Sequence, residues 1–70
     1  MYIVFFRASV SDFPAGLNWF VRIDGTRTSD KSDATRMSLE YATIVAHSHA
    51  TRRGVVEAGI IDAQGDVTYV

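Results

Sequence analysis

Alanine recurs at every fourth position between Ser38 and Gly54, at Ala42, Ala46 and Ala50. Residues four apart stack on one side of a helix, and a line of methyl groups there lets the helix backbone approach a sheet closely. Successive residues set about 100° apart put Leu39, Ala42, Val45, Ala46, His49 and Ala50 on one side. Glu40, His47 and Thr51 then point away, Ile44 falls outside the stripe, and Tyr41 sits at its edge. The spacing predicts a helix over 39–53, packed on a sheet.

The ends of this stretch agree with that reading. Ser38 is a good N-cap, because its hydroxyl can accept from a free amide of the first turn. Met37 can pack on Ala42 as a hydrophobic staple. Glu40 in the first turn and Arg52 and Arg53 in the last suit the helix dipole. Gly54 ends the helix, and a hairpin follows: Val55 to Asp62, a turn through Ala63-Gln64-Gly65-Asp66, then Val67 to Val70. In the first arm, Val56, Ala58 and Ile60 share one face and Val55, Glu57, Gly59 and Ile61 the other.

The first half reads as strands. Tyr2 to Ala8 is β-branched and aromatic. Tyr2, Val4 and Phe6 form one face and Ile3, Phe5 and Arg7 the other; both are largely apolar, so both need cover. Ser9 to Gly16 is expected to be a loop broken by Pro14 and Gly16. A second strand over 18–23 presents Trp19, Val21 and Ile23 on one side and Asn18, Phe20 and Arg22 on the other. Asp24-Gly25 offers a hairpin turn. Thr26 to Asp33 is polar and reads as a weak edge strand or a loop, with Ala34 to Met37 leading into the helix. Side chains here compete for backbone hydrogen bonds, so disorder is expected first in this region. The fold class is α+β: an antiparallel sheet of about four strands, in the order β-β-(β)-α-β-β, with one helix across one face.

Seventy residues make one domain, spanning 1–70. Such a chain buries only about 60% of its unfolded surface. Small domains usually gain support from disulfides, metals or oligomers. Cysteine is absent, which removes disulfides and the thiolates of most structural zinc sites. It also suits a reducing compartment, and a cytoplasmic location is expected. The apolar start, Met1 to Arg7, is too short to span a membrane, lacks the basic start and small-residue cleavage site of a secretory signal, and is expected to be a strand. A net charge of −1 creates no global attraction to nucleic acid or anionic lipid.

Trp19-Phe20-Val21, the Ser38 cap, the alanines at 42, 46 and 50, and Ile60-Ile61-Asp62-Ala63-Gln64-Gly65 together resemble a small bacterial family, the domain of unknown function 2188. That family has a Trp-x-Val strand, a polar turn, a Thr or Ser cap, an alanine-spaced helix and a final strand broken by a glycine turn. The resemblance covers roughly 17–70. Tyr41 departs from it where an acidic residue would complete a capping box, and the polar stretch before the helix is longer. It implies the α+β fold and transfers no activity.

No catalytic constellation is apparent. Nucleophilic catalysis needs a nucleophile, a base and an orienting group, and no Gly-x-Ser-x-Gly elbow occurs. His47 and His49 lie two apart on the helix and project to different sides, so they cannot share a metal. The five glycines never form a phosphate-cradling run followed by Lys or Arg. Asp62 and Asp66 read as turn formers. No catalytic residue, cofactor or metal is therefore expected.

Two binding readings remain. Arg22, Arg27, Lys31 and Arg36 lie near Trp19 and Phe20, a combination that could hold single-stranded nucleic acid by stacking and phosphate contact. Asp24, Asp30 and Asp33 interleave with these cations and offset them. The favoured expectation rests instead on surplus apolar surface, which usually marks an interface. It is a non-enzymatic protein-binding or assembly module, a homodimer with a further protein partner. Phage or mobile-element inhibitors of host proteins are one form such a module takes. Its contact surface is expected on the sheet face opposite the helix, through whichever of Phe5 and Phe20 lies outward, ahead of the helix flank at Tyr41 and Ile44, because the first strand is apolar on both sides.

Overall fold

The computed structural model describes residues 1–8 and 18–70. Five antiparallel strands form one sheet: β1 (Ile3–Ala8), β2 (Asn18–Val21), β3 (Arg27–Thr28), β4 (Val55–Ile61) and β5 (Val67–Tyr69). Their spatial order is β3-β2-β1-β4-β5. One helix, α1 (Leu39–Ala50), packs on β4 and β1. The α+β class and the helix laid across one sheet face are as the sequence implies, with the optional third strand present. The loop expected over 9–16 lies outside the described residues.

α1 begins as anticipated. The Ser38 side chain accepts from the Tyr41 amide at 3.2 Å, and Met37 joins Ala42 in the main core. The helix ends three residues early. Thr51 caps it, and Arg52 and Arg53 lie in the turn leading to Gly54, whose φ is 86°. Ala42 and Ala46 are fully buried and His49 nearly so. Val45 and Ala50 are half-buried, and Leu39, the first helical residue, is exposed.

Strand alternation splits the apolar residues into two clusters. Facing the helix are Val4, Phe6, Ala8, Val21, Ala58 and Ile60, with Trp19 half-buried at their margin. On the far side are Ile3, Phe5, Phe20 and Ile61. One irregularity alters the expected faces of β4. The register shifts between Arg7, opposite Glu57, and Ala8, opposite Val55. Val56 is thus an extra residue in a β-bulge. It stands exposed, and Val55 turns to the helix-side core. Before the shift, Arg7 and Glu57 form an ion pair at 2.9 Å.

Both hairpins use the same loop. Arg22 and Asp62 each donate their amide to the residue four ahead and accept from the glycine three ahead. Gly25 and Gly65 take the positive φ, 87° and 89°, that closes such a loop into its strands. Ile23 therefore lies in the turn, not in the second strand as the alternation suggested. Asp62 is a turn former: its carboxylate accepts from the amides of Gln64 and Asp66, both at 2.9 Å.

The polar stretch before the helix is ordered. Asp30 accepts from both the amide and the hydroxyl of Ser32 and so caps a short 3-10 helix (Lys31–Asp33). The Thr35 hydroxyl accepts from the Ile23 amide at 2.8 Å. Met37 and Tyr2 exchange two backbone hydrogen bonds, at 2.7 and 2.8 Å. The side chains that were expected to loosen the segment instead organise its turns.

On the far side, Phe20, Phe5, Gly59 and Tyr69 form one cross-strand row. The Phe5 ring meets Tyr69 edge-on, with centroids 5.9 Å apart. A Cβ on Gly59 would lie 2.4 Å from the Thr68 carbonyl oxygen and 2.9 Å from the Phe5 ring. Gly59→Ala should therefore cost at least about 1–3 kcal/mol, the usual range for overpacking. The urea midpoint, with an unchanged slope, is the measurement that checks it. On the helix side, Ala46→Leu should cost a similar roughly 1–3 kcal/mol; a variant melting like the parent would show that the helix can lift off the sheet freely.

Candidate functional site

Because α1 packs chiefly on β1 and β4, it leaves the β2–β3 half of the same face clear of the helix. Two confluent hollows occupy this space, sharing Gly25, His49 and Arg52. The larger, about 540 Å³, lies between the β2–β3 turn and the turn after α1. Phe6, Trp19 and Val55 contribute its apolar wall; Arg27, Arg52 and Arg53 contribute cations. The smaller, about 260 Å³, runs along the helix past Tyr41, Ile44 and Val45, with Ile23 opposite and Val21 and Met37 also lining it.

Register explains why Arg27 is there. It stands opposite Val21 on β3, so its side chain shares the helix-side face with Trp19. The guanidinium carbon sits 5.2 Å from the Trp19 ring centroid, within cation–π range. Arg52 and Arg53 arrive because the chain reverses at Gly54. Among the described residues, no acidic side chain lines either hollow. Asp24, at the neighbouring turn, has its carboxylate engaged by the Thr26 hydroxyl and amide at 2.6 and 3.0 Å. Those bonds hold its pKa below the usual carboxylate value.

His49 forms the inner wall. Its ring stacks on Phe6, centroids 5.0 Å apart and planes 13° from parallel. Only 4% of the residue is exposed, and its Nδ1 is buried without a hydrogen-bond partner. Burial, and secondarily the Arg52 charge, push the His49 pKa below its ordinary value. The ring is thus neutral at pH 7. His47 is exposed, so the two histidines do not converge. Among the described residues, no three His, Cys, Asp or Glu side chains gather as metal ligands would.

The residues picked out from sequence are dispersed. Phe5 and Phe20 do lie on the face opposite the helix, but only 4% and 9% of each is exposed. They are interior residues of this chain rather than an available patch, because each packs in the far-side cluster with Ile3 and Ile61. Tyr41 and Ile44 are exposed, at 45% and 66%. Phe20 and Trp19 fall on opposite faces, so they cannot form one stacking platform. Arg22 is committed to Asp33, to the Thr26 hydroxyl and to the Arg27 carbonyl. Lys31 and Arg36 are exposed and line neither hollow. Of the four cations named for nucleic acid, Arg27 lines the larger hollow and Arg22 the smaller. Arg52 and Arg53 were read as dipole partners of the helix. The signal that could have found them is Gly54, which folds the end of the helix back towards the sheet.

No family model, curated protein or solved structure matches this chain. No helix among the described residues is long and apolar enough to cross a membrane.

The depressed His49 pKa has a thermodynamic consequence. The unfolded chain takes up a proton near pH 6.5, where the folded protein does not. Stability should therefore be full above that value and fall as pH drops below it, until the folded pKa is reached. Asp24 and Asp30 are also depressed, but from 3.8, so their contribution is lost only at lower pH. Urea midpoints at about pH 7.5 and 5.5 should separate the two windows. The parent should weaken across this interval, and His49→Phe should weaken much less.

Proposed function

We propose that this chain is a non-enzymatic contact module that pairs with itself through the outer face of α1 and engages a further protein as that dimer. The observation that carries this is Ile44. Among the described residues it is the most exposed large apolar side chain, standing near the middle of the helix, with Tyr41 beside it and Ile23 across the narrow hollow. An aliphatic side chain so placed is commonly covered by a partner.

Charge supports a second copy as the occupant. Glu40, Ile44 and Ser48 follow one line along the helix at intervals of four. A two-fold axis beside Ile44 would run the two helices antiparallel. Glu40 of each copy would then approach the Arg52 end of the other, and the helix dipoles would oppose. A stable contact buries about 800 Å² per partner, so it extends past the helix to Tyr41 and Ile23. Burial of Phe5 and Phe20 inside the chain leaves the helix flank as the better of the two expected surfaces. A cysteine-free chain with no membrane-crossing helix among its described residues suits the cytoplasm, where we place it.

Sedimentation equilibrium at micromolar concentration should show a dimer. A single species of monomer mass would refute the pairing. Ile44→Glu should dissociate it, by burying a charge at the contact, while leaving the melting curve cooperative. Phe20→Glu should instead unfold the chain, because that side chain lies in its core. Glu40→Arg should weaken the dimer more at low salt than at high.

A further inference from the structure

We propose that the outer edge of β5 pairs antiparallel with the same edge of a second copy, Val67 of one chain opposite Tyr69 of the other. The order β3-β2-β1-β4-β5 makes β3 and β5 the two edges of the described sheet. β3 is blunted: it has two residues, one of them Arg27, and the chain leaves it for a 3-10 helix. β5 carries none of the usual guards of an edge, which are charged side chains, prolines and bulges. Its residues and the one that follows, Val67-Thr68-Tyr69-Val70, are uncharged and β-branched or aromatic throughout, and all are exposed.

Backbone pairing fixes which groups face outward. The Asp62 amide donates to the Asp66 carbonyl, and the Val70 amide to the Ala58 carbonyl, both at 3.0 Å. Thr68, opposite Ile60, lies midway between these bonds and also turns its N–H and C=O towards β4. The N–H and C=O of Val67 and Tyr69 therefore point out of the sheet edge, where no strand among the described residues meets them.

This edge is complementary to itself. A two-fold axis at Thr68 sets Val67 of each copy against Tyr69 of the other, and each such pair exchanges both of its backbone hydrogen bonds. Aromatic faces β-branched in those pairs, and threonine faces threonine on the axis, combinations that stabilise a ladder. The apolar rows of the far side also continue across the axis. One row runs Phe20, Phe5, Gly59, Tyr69 and another Ile3, Ile61, Val67; the register joins the end of each to the end of the other. Tyr69 is 61% exposed yet already oriented by its edge-on contact with Phe5. The contact is separate from the pairing through α1 and does not rest on it. Two different two-fold contacts on one chain link dimers into larger assemblies. So short an edge buries far less than the about 800 Å² per partner of a stable contact, and it forms at higher concentration than the helix pairing.

The test uses the Ile44→Glu chain, which sets the helix pairing aside, and follows amide hydrogen exchange by NMR at about 0.05 mM and about 1 mM. Concentrating the chain should slow exchange at Val67 and Tyr69 by about threefold or more, the mass-action factor for a partner present at a few times its Kd. Thr68 and Val70, bonded to β4, should change little. Isotope-filtered spectra of mixed chains should show the Val67 methyls of one copy against the Tyr69 ring of the other. Thr68→Lys sets two ammonium groups against each other on the axis and should weaken the contact about tenfold or more, while Thr68→Val should keep it. Thr68 is exposed, so both variants should fold. Failure of the α1 dimer in the unaltered chain leaves this result untouched, so the two readings stand or fall separately. The proposal is overturned by exchange at Val67 and Tyr69 that is independent of concentration, by unchanged association in Thr68→Lys, or by protection of those amides that an added valine–threonine peptide supplies and a second copy does not.

Discussion

The close seat of α1 on β1 and β4 governs the rest of the molecule. Ala42 and Ala46 lie fully buried against the sheet, and nothing larger would allow that approach. A helix held so low is also held narrowly. It covers the centre and one flank of the face, and the β2–β3 hairpin rises beside it as the other bank of a channel. The hollows along the helix are what remains when one short helix closes half a sheet. Their contents follow from strand register and from where the chain turns.

Much of the framework was legible in the residues. The alanine spacing, the Ser38 cap, the Gly54 stop and the two glycine turns each have a local physical meaning that survives in the structure. Alternation likewise assigned β1 and β2 to their faces. Where the reading failed, the cause was not local. Val55 and Val56 exchange roles because β1 and β4 slip by one residue at Ala8, a fact about pairing between distant segments. Leu39 follows the helical period yet stays in solvent, and periodicity cannot say how far a helix overhangs its sheet.

The candidate site was less legible than the fold for the same reason. Arg27, Arg52 and Arg53 are far apart in sequence, and only the β2–β3 register and the turn at Gly54 bring them around Trp19. The cations that stood together in sequence are divided by the fold: Arg22 is tied to Asp33, while Lys31 and Arg36 lie elsewhere. A cluster in one dimension proved a poor guide to a cluster in three. The two places expected to carry surplus apolar residues differ in exposure. Phe5 and Phe20 went to a second core beneath the sheet, and Ile44 was left outside.

The paired backbone bonds between Tyr2 and Met37 set the order in which these parts can assemble. Met37 is the residue that leads into α1, and Tyr2 the one that leads into β1. Joining them closes almost the whole first half of the chain into a single loop, at an entropic cost that local contacts within it must offset. The β2–β3 hairpin and the run of Asx turns after it are local and can form early. The entry of α1 onto the sheet is thus tied to the chain's beginning, so the hollows beside the helix depend on a contact at neither of their banks.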